Sequence, residues 1–173
     1  MSPADQKVAV QVDGRTLTLT NLAKVLYPDS GFTKAEVLDY YQRVAPVLLP
    51  HIAGRPLTLK RYPEGVDGQA FFQKHVTAHR PDWIRTATVE SESSRARGPS
   101  VTYLVVDDLP ALIWAANLAG LELHVPMWRF ADPSTATTPT HTAGTTVDQD
   151  RLSLFQMTVG EDSLPRRLGG YRH

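Results

Sequence analysis

The chain has 173 residues, of which 42% are hydrophobic and 21% are charged, with 18 basic side chains against 18 acidic ones. This composition is typical of a single globular domain with one core, and it excludes an intrinsically disordered chain. Proteins that coat nucleic acid without specificity carry a basic excess. The zero formal net charge therefore disfavours that class and restricts any contact with DNA to a local cluster of basic residues.

Cysteine is absent, which excludes disulfides, thiolate zinc sites and cysteine nucleophiles. The first residues lack the apolar core of a signal peptide, and no apolar run approaches the roughly 20 residues that span a bilayer. We therefore expect a soluble intracellular protein with no membrane partner.

The first predicted element is a β-hairpin. Residues 8–20 alternate apolar and polar side chains around Asp13 and Gly14, a pair that is typical of hairpin turns. A second turn is predicted at residues 28–31, which read Pro-Asp-Ser-Gly.

A long helix is predicted from Thr33, which can act as the N-cap with Glu36 as its capping-box partner. Pro50 is expected to end this helix, because proline lacks the amide hydrogen that a helix interior needs. The core face predicted from helical spacing comprises Val37, Tyr40, Tyr41, Val44, Val47 and Leu48.

Short strands dominate the next part of the chain. Extended segments are predicted at residues 57–62, 70–75, 84–89, 101–106 and 123–128, with a Ser/Arg-rich loop before the fourth. From Asp107 the chain reads DDLPALIWAANLAGLEL, an almost continuous apolar stretch that predicts a buried helix with an acidic cap. The predicted fold class is α+β, with short strands outnumbering two main helices.

The composition changes sharply after residue 130. Residues 131–149 are rich in Thr, Pro, Ser and Ala without apolar periodicity, which predicts a loop or linker. Residues 151–159 regain strand character, and a basic, irregular tail follows. We divide the chain into a folded region at 1–130, the linker at 131–149, and a strand with its tail at 150–173.

Two lysines and an asparagine form the first candidate site. Asn21 and Lys24 precede the predicted turn, and Lys34 follows it in the first turn of the helix, where free backbone N–H groups and the helix dipole favour an anion. Two ammonium groups, an amide and a helix N-terminus suit a terminal phosphate. From the spacing alone, two solvated lysines beside a turn are the more common arrangement.

The second candidate site combines aromatic and basic side chains. Adjacent residues in a strand point to opposite faces, so Phe71 or Phe72 is exposed unless both faces of the sheet are covered. An exposed ring beside basic groups can stack on an unpaired base. The alternative is that both rings belong to the core and the charges are merely solvated. The basic residues concerned are Arg55, Lys60, Arg61 and Lys74.

Other polar residues favour structural roles. His75 and His79 are four residues apart, but no second pair or carboxylate cluster joins them, which disfavours a metal site. Asp107 and Asp108 fit a helix cap better than paired acid chemistry. His124, a lone histidine beside an apolar strand, is typical of a hydrogen-bonded structural residue.

Long segments of the sequence resemble a known family. The segment LTLTNLAKVLYPDSGFTKAEVLDYYQRVAPVLLPHIAGRPLTLKRYPEGVDGQAFFQKH and the later segment YLVVDDLPALIWAANLAGLELHVPMWRF resemble the opening of the polymerase domain of bacterial ATP-dependent DNA ligase D. That domain belongs to the archaeo-eukaryotic primase superfamily and acts in non-homologous end joining with the ring protein Ku. The resemblance covers roughly residues 16–130 and rests on several long collinear words.

The resemblance implies roles for both candidate sites. In the family, residues that match Asn21, Lys24 and Lys34 hold the 5′-phosphate of a recessed DNA end. The paired phenylalanines of the family, which touch the template where it turns at the gap, match Phe71 and Phe72. Further matches are Lys60, Arg61 and Lys74, near the nucleotide and template cleft, and His124, near the incoming triphosphate.

The sequence departs from the family at its metal-binding strand. The family reads roughly D-R-L-V-F-D-L-D-P-G there, and its two aspartates bind the divalent ions, Mn²⁺ or Mg²⁺, that act on the nucleotide. One alignment places Gln156 and Thr158 at the aspartate positions, and the alignment without a gap places Phe155 and Met157 there. Neither supplies the carboxylate pair that two metal ions require. The S-G-x-K-G-x-H word of the family is also missing from the sequence.

We therefore expect a DNA-end-binding module of bacterial end joining, a primase-polymerase fold cut off before its catalytic half, without catalytic residues, metal or cofactor. The expected partner is DNA with 5′-phosphorylated ends, and Ku and a DNA ligase are the candidate protein partners. The expected location is the bacterial cytoplasm, at the nucleoid. Two alternatives stay open: a subunit of a split end-joining polymerase, completed by a second protein, and a decayed fragment without activity.

Overall fold

The computed structural model describes residues 7–89, 100–126 and 129–130, together with the backbone of residues 154–158. These residues form ten strands and two helices. In chain order they are β1 (Lys7–Val12), β2 (Arg15–Thr20), β3 (Val25–Tyr27), β4 (Phe32–Thr33), α1 (Lys34–Ile52), β5 (Pro56–Arg61), β6 (Phe71–Gln73), β7 (Thr86–Val89), β8 (Val101–Val105), α2 (Leu109–Asn117), β9 (Gly120–Pro126) and β10 (Leu154–Thr158). The predicted linker at 131–149 and the basic tail lie outside the described residues, as does most of the Ser/Arg-rich loop.

An antiparallel sheet with the strand order β10-β9-β5-β8-β7 forms the centre of the fold. The first residues of β5, Pro56 and Leu57, pair with β8, whereas its last three residues pair with β6. β9 occupies the opposite edge of β5. The end of β5 therefore lies between β6 and β9, and this is where the candidate aromatic and basic residues meet.

The predicted hairpin is confirmed as β1 and β2, which pair along their whole length. Asp13 and Gly14 between them have φ values of 46° and 76°, the left-handed conformation that both central residues of a type I′ turn adopt. The turn at residues 28–31 connects the short strands β3 and β4, which the sequence pattern did not reveal.

A single hydrophobic core joins both helices to the sheet. Tyr41 and Leu48 of α1, Leu112 of α2 and Leu123 of β9 are almost fully buried in it. The Tyr41 hydroxyl donates a 2.9 Å hydrogen bond to the carbonyl oxygen of Gly120, so the polar end of this buried ring has a partner where β9 begins. Full burial of a Leu side chain is worth about 2 kcal/mol, and the cluster thereby holds the helices against the strands that carry the site.

The start of α1 agrees with the prediction, but its end does not. Thr33 is the N-cap and Glu36 completes the capping box, yet the helix continues past Pro50 to Ile52 and contains Pro46 as well. The two prolines lie four residues apart on the exposed side of the helix. Water can hydrate the carbonyl groups that proline leaves unpaired there, while the buried opposite face keeps the helix intact.

The predicted core face of α1 is partly wrong. Val37, Tyr41 and Leu48 are buried, Tyr40 and Val44 are half-buried, and Val47 is 71% exposed. The buried positions that the pattern missed are Leu38, Ala45 and Ile52. Apolar residues surround much of this helix, so helical spacing alone does not identify the stripe that faces the sheet.

The second helix, α2, is shorter than predicted. Asp108 is its N-cap, as expected, and the carboxylate accepts a 3.0 Å hydrogen bond from the third amide of the helix. The helix ends at Asn117, Leu118 and Ala119 form a turn, and the predicted residues from Gly120 onwards belong to β9. Ala119 has a φ of 58°, and a Cβ at Gly120 would lie 3.0 Å from a helix carbonyl oxygen, so the chain reverses tightly there. A continuous apolar run does not show this change, because helix and strand are both buried.

Candidate nucleic-acid interface

The loop after β2 and the first turn of α1 form one hydrogen-bonded unit. Asn21, with a φ of 55°, begins a tight turn in which its carbonyl oxygen accepts a 3.0 Å hydrogen bond from the Lys24 amide. The Lys24 carbonyl oxygen then accepts a 2.8 Å hydrogen bond from the Lys34 amide. The fold thus brings together the three predicted phosphate residues, Asn21, Lys24 and Lys34, which we call the phosphate cluster.

The N-terminus of α1 offers no free amide, which corrects the sequence prediction. The amides of Lys34 and Ala35 donate to carbonyl oxygens of loop 22–24 at 2.8 and 3.0 Å. In the capping box, the Thr33 amide donates to the Glu36 carboxylate and the Glu36 amide donates to the Thr33 hydroxyl. All four amides of this first turn have partners within the chain. A phosphate here can use side chains and the helix dipole, but no free backbone N–H group.

The Lys34 side chain is buried, with 5% of its surface exposed. Its Nζ donates to the carbonyl oxygen of Thr20 at 2.7 Å and lies 3.3 Å from the Thr20 hydroxyl. Burial, reinforced by the positive charges of Arg61 and Lys24, lowers the pKa of Lys34 from 10.5 to about 8. Thr20 thus offers two oxygens to this ammonium group and holds it in place.

Lys24 is held at the surface by Glu64. Its Nζ lies 2.9 Å from a Glu64 carboxylate oxygen, and the Glu64 side chain is 72% exposed. An exposed ion pair of this kind is weak, so a phosphate can replace the carboxylate. Sequence analysis missed Glu64, which is 40 residues away from Lys24 in the chain. The amide of Val66 donates a 2.8 Å hydrogen bond to the carbonyl oxygen of Leu26, and this long-range contact brings the Glu64 loop back to β3.

A second group of residues, which we call the cleft, lies where β6, β5 and β9 run side by side: Lys60, Phe72, Glu122 and His124. Lys60 is the cross-strand partner of Phe72 on one side and of Glu122 on the other, and His124 is the partner of Thr58. Directly paired residues, and residues two apart in a strand, share a face of the sheet. The four cleft side chains therefore lie on the same face.

Both predicted phenylalanines are exposed, which excludes the alternative that they belong to the core. Phe71 is 44% exposed and Phe72 is 58% exposed. The Phe72 ring is edge-on to His124, with 5.4 Å between ring centroids, and the Lys60 ammonium lies 5.6 Å from its centroid. The Phe71 ring has the Arg61 guanidinium 5.3 Å from its centroid. Each ring thus contacts a cation and keeps about half of its surface in solvent.

Arg61 is held in place by two hydrogen bonds beside Phe71. Its Nε donates a 2.7 Å hydrogen bond to the Leu118 carbonyl oxygen, and its Nη1 donates one of 2.7 Å to the Gln73 side chain. Its charge also contributes to the lowered pKa of Lys34, which places the two cations within electrostatic range. Arg61 therefore acts on Lys34 through its charge and contacts Phe71 and Gln73 directly.

Glu122 is a buried carboxylate at the centre of the cleft, with 6% of its surface exposed. One oxygen accepts hydrogen bonds from Lys60, at 2.7 Å, and from the Tyr62 hydroxyl, and the other lies 3.1 Å from Nε2 of His124. Burial acts to raise the pKa of Glu122, but these hydrogen bonds outweigh it and the pKa is lowered. The hydrogen bond to Glu122 raises the pKa of Lys60 from 10.5 to about 12. Sequence analysis missed Glu122, although a carboxylate within an apolar strand indicates a buried partner.

The remaining predicted residues lie beside the cleft or elsewhere. Lys74 is exposed just after β6. Arg55 donates a 2.9 Å hydrogen bond to the Pro126 carbonyl oxygen and so joins the start of β5 to the end of β9. Asp107 is not part of the helix cap; it accepts a 2.7 Å hydrogen bond from the Gly54 amide and pairs with Arg85. In the described part of the chain, no group of three or more His, Asp or Glu side chains could hold a metal ion.

The backbone of β10 pairs with the strand that carries Glu122 and His124. Gln156 is the cross-strand partner of His124, and Thr158 is the partner of Glu122. Positions 155 and 157 pair instead with buried core residues of β9. Positions 156 and 158 are therefore the ones in register with the cleft.

The sequence of residues 33–150 matches the family model of the LigD primase-polymerase domain. This chain belongs to the LigD primase-polymerase domain family. It is 50% identical over 118 residues to the multifunctional non-homologous end joining DNA repair protein LigD of Mycobacterium tuberculosis. It is 47% identical over 114 residues to LigD of Mycolicibacterium smegmatis and 31% identical over 110 residues to LigD of Bacillus subtilis. The matches cover 68%, 66% and 64% of this chain, but 15%, 14% and 16% of the respective relatives.

A solved structure supports the family assignment. The polymerase domain of Mycobacterium tuberculosis ligase D in complex with DNA resembles this chain with a TM-score of 0.63 and 48% identity, over 69% of this chain and 40% of that one. This likeness confirms the predicted α+β primase-polymerase fold. The segment that matches the family model includes Lys34 and the cleft but begins after Asn21 and Lys24. No helix in the described residues is long and apolar enough to cross a membrane.

Proposed function

We propose that this LigD-family chain is a DNA-end-binding module that recognises a 5′-phosphate at a gap or recessed end in non-homologous end joining, and that it does not polymerise nucleotides by itself. The observation that carries the proposal is that the fold brings Asn21, Lys24 and Lys34 together at the start of α1, while the rings of Phe71 and Phe72 are exposed beside further cations. A phosphorylated gap presents a terminal phosphate beside an unpaired template base. Cations bind the terminal phosphate, and exposed aromatic rings stack on the unpaired base.

The phosphate is bound by Lys24 and Lys34, with the Asn21 amide as a further donor. Lys34 has a pKa of about 8, so it is mostly protonated at pH 7, and Thr20 fixes its direction. Lys24 exchanges Glu64 for the phosphate. A terminal phosphate carries a charge of about −1.5 to −2 near neutral pH. It therefore attracts the Lys24 ammonium more strongly than one exposed carboxylate does.

The template base is bound by stacking on Phe71 or Phe72, with Lys60 and Lys74 near its backbone. Stacking of a base on an aromatic side chain contributes about 1–3 kcal/mol and does not depend on sequence, because every base has a π face. The module is therefore expected to select the shape and phosphorylation of a DNA end, not its sequence.

The residues at the cleft do not fit the divalent ions that the family uses. The strand that pairs with Glu122 and His124 has glutamine at 156 and threonine at 158, where the family resemblance leads us to expect two aspartates. Both oxygens of Glu122 already accept hydrogen bonds from side chains. Metal ions that bridge phosphate groups need anionic oxygen ligands. The proposed activity is therefore binding alone.

The proposal is tested by measuring binding to a short gapped duplex, with and without a 5′-phosphate at the gap, at two salt concentrations. We expect tighter binding to the phosphorylated gap, with an affinity that falls as salt is raised. Equal affinity for both duplexes would contradict the proposal. Equal affinity combined with the loss of fixed tertiary packing would support the decayed fragment instead.

The split polymerase is the second candidate, because Lys60 and His124, which the family resemblance puts near the incoming nucleotide, both bond to Glu122 in the cleft. A separate protein would then supply the metal-binding residues. The test is nucleotide addition to the gapped duplex by this chain mixed with a chain that carries the S-G-x-K-G-x-H word. Addition by the mixture but by neither chain alone would establish the split enzyme.

A further inference from the structure

We propose that Glu122 is a positioning residue for base stacking: its buried carboxylate holds Lys60 and His124 against Phe72, so that the exposed part of this ring is set for an unpaired base. The inference rests on the proposed function, because it concerns how that surface binds the template. Neither the sequence pattern nor the family resemblance singled out this residue.

The two carboxylate oxygens of Glu122 bond to two different residues that flank the Phe72 ring. One oxygen is 2.7 Å from Nζ of Lys60, and the other is 3.1 Å from Nε2 of His124. Lys60 lies 5.6 Å from the centroid of Phe72, and the His124 ring centroid lies 5.4 Å from it. The carboxylate itself does not need to touch DNA. It acts through two groups that flank the ring.

Burial explains why these contacts can position a ring. Glu122 is 6% exposed, and the His124 side chain is 12% exposed, whereas Phe72 is 58% exposed. A long lysine side chain in solvent loses much conformational freedom when it is held in one place. Here the buried carboxylate fixes the lysine before DNA arrives, so that less freedom is lost on binding.

The negative charge of Glu122 by itself should weaken the binding of DNA, which is also negatively charged. If Glu122 acted through its charge alone, the neutral variant Glu122→Gln would bind DNA more tightly, since it adds one net positive charge. If Glu122 positions the ring, the same variant stacks less well on the base. Ionised Glu122 accepts from both Lys60 and His124, whereas glutamine has one acceptor oxygen, without charge, and turns an NH₂ donor towards the other partner. The contact with Lys60 therefore weakens, and the contact with Nε2 of His124 requires a change of tautomer. The two roles predict effects of opposite sign.

The experiment uses a gapped duplex with 2-aminopurine, a fluorescent base, as the first unpaired template base. Stacking quenches its fluorescence. We expect the wild-type chain to quench the fluorescence and Glu122→Gln to lose at least half of the quenching, with affinity weaker by about fivefold or more. Asp39→Asn is the matched control, because it removes one carboxylate from an exposed ion pair with Arg43 on α1. It should leave the quenching unchanged.

The variant Lys60→Met separates positioning from a loss of folding. It should reduce the quenching as Glu122→Gln does, and the two substitutions combined should add little to either alone. Thermal unfolding of each variant is measured alongside. If Glu122→Gln does not fold, unchanged quenching by Lys60→Met overturns the inference by itself.

The outcomes distinguish the inference from the proposed function. A wild-type chain without preference for the 5′-phosphate overturns both. A wild-type chain with that preference, and a Glu122→Gln variant with unchanged quenching or tighter binding, overturns the positioning role alone. Additive effects of Glu122→Gln and Lys60→Met also overturn it, because residues that act through one another do not add.

Discussion

Two lysines of the site, Lys34 in the phosphate cluster and Lys60 in the cleft, have pKa values that the protein shifts in opposite directions. Lys34 is buried beside two further cations, and its pKa falls to about 8. Lys60 is hydrogen-bonded to Glu122, and its pKa rises to about 12. The first ammonium lacks a compensating anion among its described contacts and is suited to receive one from a ligand. The second already has its anion, so it can orient a ring without attracting a phosphate strongly.

The largest expected effect follows from removing the cations of the phosphate cluster. The double variant Lys24→Ala/Lys34→Ala should lose on the order of 100-fold in affinity for a 5′-phosphorylated gap, since each hydrogen bond to a charged group contributes about 1.5 kcal/mol or more. Binding to the gap without phosphate should change far less. The measurement is the affinity for both duplexes.

The control for this variant is Lys7→Ala/Arg43→Ala, which removes two positive charges from exposed positions on β1 and α1. It should weaken binding to both duplexes by the same factor. If the two double variants behave alike, the phosphate cluster acts only through net charge.

The next effect concerns the rings. Phe72→Ala should weaken binding to a gapped duplex about tenfold, because one base loses its stacking partner. The loss should be similar with and without the 5′-phosphate, in contrast to the lysine variants. Val47→Ala, which truncates another exposed apolar side chain, is the control and should have no effect. A loss for Phe72→Ala that occurs only with phosphate would show that the two regions do not act separately.

A third prediction uses the pKa of Lys34. Between pH 7 and pH 9 the preference for the phosphorylated gap should fall by up to about tenfold, because a group with a pKa of about 8 loses most of its charge over this range. The folded-state pKa lies below the unfolded value of 10.5, so the unfolded chain binds more protons between these values. The Lys34 contribution to stability therefore rises with pH through this window.

Binding and stability should thus change in opposite directions with pH. Affinity titrations and denaturant unfolding at both pH values test this, with Lys34→Met as the control in which both trends are reduced. A wild-type preference that is independent of pH would show that Lys34 does not contact the phosphate.

The smallest effect is expected at Glu64. Glu64→Gln removes the carboxylate that competes for Lys24 and should tighten binding to the phosphorylated gap about twofold, in line with the small energy of exposed ion pairs. Asp39→Asn makes the same change of charge on α1 and provides the comparison. Equal effects of both substitutions would mean that Glu64 does not restrain Lys24.

The sequence predicted local structure better than it predicted contacts. The hairpin turn at Asp13 and Gly14 and the capping box at Thr33 were correct, because both depend on residues a few positions apart. The end of α1 at Pro50 was wrong, since packing of the buried face outweighs the preference of proline. The length of α2 was wrong because buried helix and buried strand have the same apolar composition.

The same difference between local structure and long-range contacts holds for the site. The sequence grouped Asn21, Lys24 and Lys34, and the structure brings these three residues together. The predicted open helix N-terminus was wrong, because the amides of Lys34 and Ala35 bond to the preceding loop. Glu64 and Glu122 were missed, since each meets its lysine through contacts between distant parts of the chain. Whether the predicted residues bind DNA stays a prediction that the variants above test.

The hydrogen bonds that join loop 22–24 to the start of α1 also have a consequence for the dynamics of the chain. Amides at a helix N-terminus usually exchange with solvent quickly, because they have no acceptor within the helix. Here the amides of Lys34 and Ala35 are bonded to loop carbonyls, so their exchange requires the loop and the first helical turn to open together. Hydrogen exchange at these two positions would therefore report the opening of the phosphate cluster as a single cooperative event, and a bound phosphate should slow both amides by the same factor.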